Sequence, residues 1–372
     1  MKAAIIRRTP ASLNLPLLAI ITIGCLTVGA AHAAEPTQGD SKEAQLSDDV
    51  SLEVVFIPPG EFMMGSTAEE KEWAVGEAGG AKFSSSDGVR EGYEGEPRKM
   101  RVKEGFWIGR TEVTIAQFRD FVEATGYVTD AEKPGGMTQC FDHTWVAQHG
   151  KSGGPPHPWI EMEDKSWRDP NHGVPEQDDF PVVCVSYNDM NAFCDWLTGK
   201  EREAGALPEG MVYRLPTEAE WAYACRGGRD DSSYFWWGND LNDAKGRLNI
   251  SAIDFLPGRD EVWPGAKLPW SDGYAMVSPV DCYGERGRNG FGLADMLGGV
   301  WEFTIDHFDP EGGHEEVHYL DPEQKTVGRP VCRGGNYYDV PGNARCAVRL
   351  GIYNKSYSDS RDGFRVALGT PR

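Results

Sequence analysis

The sequence predicts a turn-rich domain in which a few short helices sit among short strands, and three observations support this. Glycine and proline are abundant, 45 and 24 of 372 residues, without a strict period, which argues against long bundles, coiled coils and collagen. Three stretches carry complete helix start signals, separated by short apolar runs and Gly turns. Hydrophobic residues are 40% of the chain and tryptophans number 12, enough to close a sizeable core and to exclude disorder over most of the length.

The chain opens with Lys2, Arg7 and Arg8, an apolar run from Leu15 to Ala30 and the triplet Ala31-His32-Ala33. That order predicts an export signal over residues 1–33, cut after Ala33, with no stable membrane insertion once it is removed. Thr9-Pro10 follows Arg7-Arg8 where a twin-arginine signal wants an apolar residue, so ordinary export, most simply to a periplasm, is expected.

Residues 34–53 read as a flexible acidic leader, polar and aperiodic to about Asp49, and a single domain is expected over 54–368. Leu52 to Ile57, then Glu61-Phe62-Met63-Met64-Gly65, look like a strand and a tight turn at the domain's entrance. Ala68 to Glu96, rich in Gly, Ser and Glu, predicts a second mobile stretch. The first helix starts at the capping box Thr114/Gln117, places Phe118, Phe121 and Val122 on one face, and stops at Gly126. A Gly/Pro-rich insertion from His143 to His172, with Trp145, Trp159 and Trp167, reads as either a recognition surface or an irregular packed loop. Pro181 to Val185 reads as a buried strand, after which Ser186 caps a helix with the stripe Met190, Phe193, Trp196 and Leu197. The third helix opens on Thr217 and Glu220, buries Trp221 and ends at Gly227.

A formal charge of −21 repels phosphate backbones and anionic lipid, so nucleic acid is not an expected partner and cations are the more natural ligands. Beyond Cys25 in the signal, Cys140, Cys184, Cys194, Cys225, Cys282, Cys332 and Cys346 are disulfide candidates in an oxidising compartment, and their odd number leaves at least one unpaired. No Cys-x-x-Cys occurs, which argues against a zinc ribbon or a thioredoxin-type site. His314-Glu315-Glu316-Val317-His318 fits the zincin pattern literally, but breakers on both sides leave no room for the helix that motif needs. A solvated loop, at most an adventitious zinc or copper binder, is expected there. Phosphate loops and dinucleotide fingerprints are absent from the sequence.

Seven blocks in order, Glu61 to Gly65, Phe106 to Thr114, Pro181 to Asp189, Tyr213 to Trp221, Gly298 to Glu302, Arg333-Gly334-Gly335-Asn336 and Asp362-Gly363-Phe364-Arg365, resemble the formylglycine-generating enzyme family, also called sulfatase-modifying factors. The resemblance implies an α+β fold with little regular secondary structure, an irregular variant of the C-type-lectin-like fold. It also implies oxidation of a cysteine in a target sulfatase, with copper held by two cysteines. Here the first of those positions is Asp339, and Val340 to Arg345 contains no cysteine for the second. Oxygen donors do not suit Cu(I), so copper is not expected as a cofactor, and whether the chain is an enzyme stays open. Asn336 stands in place of the family's serine and Trp301 keeps its tryptophan, so Trp301, Asn336 and Asp339 are expected to border the groove.

The resemblance further implies a Cys225–Cys346 disulfide, while the family's other bridge meets Val366 opposite Cys194 and cannot form. Two structural calcium sites are implied, one from Asn249, the Ile250 carbonyl, Asp272 and the Tyr274 carbonyl, the other from Asp295, the Gly298 and Val300 carbonyls and Glu302. Mixed carboxylates and carbonyls suit calcium, although Asp beside Gly also caps turns. The expectation is thus an exported, calcium-stabilised member of the family without copper-thiolate chemistry, acting as an accessory or recognition module for an exported protein or peptide. The alternative is a formylglycine-generating-type oxidase acting on a cysteine or serine side chain of a sulfatase or another exported substrate.

Overall fold

In the computed structural model the described residues are 35–81, 94–144, 158–255, 268–308, 329–351 and 354–372. The expected export signal and the His314/His318 motif fall outside them. From Pro36 to Arg372 the chain clusters as one compact unit.

Two sheets carry it. The first has five antiparallel strands in the order β1-β2-β5-β13-β8, with β1 Ser41–Gln45, β2 Ser51–Ile57, β5 Phe106–Gly109, β8 Val212–Arg214 and β13 Ala367–Gly369. The second has the order β11-β10-β9-β12, with β9 Trp301–Phe308, β10 Arg329–Arg333, β11 Arg349–Gly351 and β12 Asp362–Gly363. In it β12 runs parallel to β9, Asp362 opposite Trp301 and Gly363 opposite Glu302. Two hairpins complete the set, β3 Gly60–Met64 with β4 Arg98–Val102, and β6 Thr138–Phe141 with β7 Trp159–Met162.

The helices begin where their caps predict. α2 Ile115–Thr125 has the full Thr114/Gln117 capping box and ends at Gly126 in the left-handed conformation, φ 67°. α3 Tyr187–Glu203 is closed by a Ser186/Asp189 box, and α4 Glu218–Arg226 by the Thr217/Glu220 box. Phe118, Phe121, Phe193 and Leu197 from α2 and α3 share the main core with β2, β5 and β13 residues, and Trp221 of α4 enters the second cluster.

Three expectations are corrected. Residues 34–53 are not a flexible leader throughout: Ser41 to Gln45 forms β1 in full register on β2, and Ala44 and Leu46 are buried. Their spacing of two is the signature of an edge strand, hidden by the charges around it. The stretch from Ala68 contains α1 Ala68–Val75, capped by Thr67 and held at Glu70 by the buried Arg345. Pro181 to Val185 is not a regular strand, because Cys184 has φ 56°, a left-handed conformation that breaks the ladder after the Thr114–Pro181 bridge.

Candidate functional site

After β10 the chain turns through Gly334 and Gly335, with φ 98° and 81°, a geometry open to residues lacking a Cβ. The next residues close on themselves. Asn336 N donates to Asp339 Oδ2 at 3.0 Å, Tyr338 N to Asn336 Oδ1 at 2.7 Å, and Asn343 Nδ2 to Asp339 Oδ1 at 2.9 Å. Tyr337 N donates to Gly299 O at 2.8 Å, which ties this turn to the loop ahead of β9. Trp301 joins the same hydrophobic cluster as Tyr337, and its N donates to Arg361 O at 2.9 Å. The Glu302–Arg333 pairing of β9 with β10 brings Trp301 to the start of the turn that holds Asn336 and Asp339, but Trp301 and Asn336 are themselves buried. Asn336 acts as a turn former.

The insertion packs against this turn. Trp159 of β7 packs edge-on against Tyr338, centroids 4.1 Å apart, and Arg361 lies 4.2 Å from the Trp159 ring. Phe141 and Phe255 extend this buried aromatic cluster. Trp159 and Trp167 are both buried, so among the described residues the insertion is packed rather than splayed into solvent. Arg361 is also clamped by Asp359, whose Oδ2 takes a 2.7 Å hydrogen bond from the Tyr357 hydroxyl. Neither Asp359 nor Tyr357 was singled out in the sequence, because nothing local marks them. Asp362, beside Trp301, has its carboxyl held well above the usual range by burial, with Asp359 and Asp339 adding repulsion against the attraction of Arg361.

The first predicted calcium set is brought together around Asp272. Its carboxylate accepts from Ile250 N and Tyr274 N, each at 3.1 Å, while Asn249 Nδ2 donates to Met276 O at 2.8 Å. Burial, then repulsion from Asp254, pushes the Asp272 carboxyl up to about 7. Asp254, unsuspected in the sequence, receives Ser271 Oγ at 2.5 Å on Oδ2 and leaves its buried Oδ1 without a hydrogen bond.

In the second set Asp295 is buried, has φ 54° and accepts Asp281 N at 2.5 Å. Burial raises its carboxyl to about 6. Glu302, expected as a ligand, is engaged on both oxygens by Arg365 at 2.5 Å and also receives Trp221 Nε1 at 2.6 Å. The carboxylate the sequence reading missed is Glu112, whose Oε2 is buried and unpartnered and whose Oε1 would lie 3.0 Å from a Cβ on Gly299. Burial, then Asp295, pushes the Glu112 carboxyl well up. Both places thus hold buried carboxylates in excess of bases with an orphaned oxygen, a donor set that fits a hard cation. Among the described residues no three His, Cys, Asp or Glu side chains cluster as a metal site, so backbone carbonyls would have to complete either shell.

The donors at the turn do not fit copper. Asp339 and Asn336 offer oxygen, and the thiols lie elsewhere: Cys225 Sγ is 3.3 Å from Cys346 Sγ and Cys140 Sγ is 3.8 Å from Cys184 Sγ, all four buried in the core. The sulfurs of Cys225 and Cys346 are in contact as thiols, beyond the ~2.05 Å of a disulfide.

The sulfatase-modifying factor enzyme 1-like domain matches residues 39–369, which takes in every element described above. The chain belongs to the formylglycine-generating enzyme family. It is 35% identical to a formylglycine-generating enzyme of Streptomyces coelicolor, covering 77% of this chain and 87% of that one. It is 31% identical to the inactive C-alpha-formylglycine-generating enzyme 2 of Bos taurus, covering 88% and 92%. In three dimensions it is similar to PvdO from Pseudomonas aeruginosa, with a TM-score of 0.58 at 22% identity over 88% of this chain and 97% of that one. The α+β fold of the family is therefore the fold of this chain.

Proposed function

We propose that this chain is an exported, calcium-stabilised member of the formylglycine-generating enzyme family that recognises a protein or peptide segment and lacks copper-thiolate chemistry. The observation that carries the reading is Asp339. It stands where the resemblance puts the first copper cysteine, and both of its oxygens hold its own turn together. A carboxylate bound in this way is a poor partner for a soft metal and a good brace for a binding surface. Tyr338 and Arg361, both half-buried over the enclosed Trp159 ring, offer apolar and hydrogen-bonding contacts of the kind an extended peptide uses. Orphaned oxygens of Asp254 and Glu112 support calcium as the structural ion, and the Cys225–Cys346 contact supports a disulfide in an oxidising compartment.

The relative named formylglycine-generating enzyme favours a second reading, a side-chain oxidase, whereas the relative named inactive favours the first. One experiment separates them. The full chain is incubated with a peptide containing Cys-x-Pro-x-Arg, oxygen and copper, and the peptide's mass and binding are followed. Binding without a mass change is expected; conversion of the cysteine overturns the recognition reading in favour of the oxidase.

A further inference from the structure

Cys140 and Cys184 are 44 residues apart in the chain, yet their sulfurs lie 3.8 Å from each other. Both are fully buried, in a small cluster completed by Val183 and Val300. Their backbones are fixed by one shared segment. Gln139 N donates to Ser358 O at 3.0 Å, Ser360 N returns a bond to Gln139 O at 2.8 Å, and Cys184 N donates to Asp359 O at 2.9 Å. Cys184 is also one of four non-glycine residues with positive φ among the described residues, at 56°, so the fold holds a disfavoured backbone conformation at one member of the pair.

We propose that Cys140 and Cys184 are a disulfide site, closed when the chain folds in an oxidising medium. The bridge fastens the β6–β7 hairpin, and with it Trp159, to the segment ahead of α3. The sulfurs must approach from 3.8 Å to about 2.05 Å, a change within reach of side-chain rotation. In the step, the two thiols give up two protons and two electrons, the S–S bond forms, and a low-molecular-weight disulfide such as oxidised glutathione is cleaved to two thiols. Exchange requires a thiolate in reach of the small-molecule disulfide, and both sulfurs are enclosed in the folded chain. The bond therefore forms before the pair is enclosed, and afterwards is screened from reductant. Nothing in this inference depends on what the groove binds.

The test uses the full chain, refolded from reduced, urea-unfolded protein in an oxidised/reduced glutathione buffer, then alkylated and digested under non-reducing conditions. A peptide pair joining Cys140 to Cys184, lighter by two hydrogens than its reduced parts and resistant to dithiothreitol until urea is added, is expected. Alkylation of both cysteines, a link from either to another cysteine, or copper or zinc retained on the pair overturns the proposal. The double variant Cys140→Ala/Cys184→Ala, refolded in the same buffer, should unfold at lower urea than the oxidised wild type. Equal midpoints would overturn the fastening role.

Discussion

Arg365 grips Glu302 through two hydrogen bonds of 2.5 Å, one to each carboxylate oxygen, with both side chains almost wholly enclosed. Glu302 sits on β9 opposite Gly363 and Arg365 lies two residues further along, so the pair locks the strand that carries Trp301 to the chain's last segment. Arg365 also donates to the carbonyls of Gly109 and Ala294, at 2.9 and 3.1 Å. Removing one partner of such a pair leaves a buried, uncompensated charge. Arg365→Ala is therefore expected to cost about 3–5 kcal/mol. Urea unfolding monitored by tryptophan fluorescence checks it, and a loss under about 1 kcal/mol would mean the pair is solvated in solution.

Calcium should act on stability without acting on chemistry. A ligand that binds the folded chain alone raises its stability by about 2.7 kcal/mol at a hundredfold excess over its dissociation constant. The thermal midpoint should rise with added calcium and fall with chelator. Asp272→Asn and Glu112→Gln should each remove part of that gain, since each takes away a buried carboxylate next to one candidate site. A calcium response unchanged in both variants sinks this assignment of the sites.

The helices were legible because their signals are local: a cap and its third residue lie within one turn, as at Thr114 and Gln117. That Trp301 lies near the turn of Asn336 and Asp339 was legible only through resemblance, since it depends on β10 pairing with β9. β1 was missed because edge strands bury one residue in two, and Ala44 and Leu46 alone are faint against Lys42 and Glu43. Glu112 and Asp254 were missed because a carboxylate's burial is set by distant segments. The Cys140–Cys184 contact needs a left-handed residue at Cys184, which no propensity marks.

Asp306 on β9 supplies a pH signature. Its Oδ1 is buried without a hydrogen bond, and burial followed by repulsion from Glu218 pushes its carboxyl up from 3.8 to about 7. The folded chain therefore holds a proton that the unfolded chain releases as pH passes 3.8. This contribution to stability falls as pH rises from about 4 to about 7 and is level above. Asp306→Asn removes that slope, and its stability relative to wild type should rise by on the order of 2 kcal/mol between pH 5 and pH 8. Urea midpoints at the two pH values measure it. A wild type and variant that change in parallel would show that Asp306 does not titrate in this window.

Restoring one thiol should not restore copper. Asp339→Cys places a sulfur at the family's first position but removes the carboxylate that accepts from Asn336 N and Asn343 Nδ2. The turn should lose about 1–2 kcal/mol. Residues 340–345 offer no second cysteine, and Gly342 cannot take one, because a Cβ there would stand 2.3 Å from the Ala74 carbonyl oxygen. A single thiolate among oxygen donors is a weak Cu(I) site. Copper analysis after anaerobic loading and gel filtration should find the variant substoichiometric, like the wild type. One copper per chain in Asp339→Cys with none in the wild type would reveal a second soft donor near the turn, and the oxidase reading would then be the one to pursue.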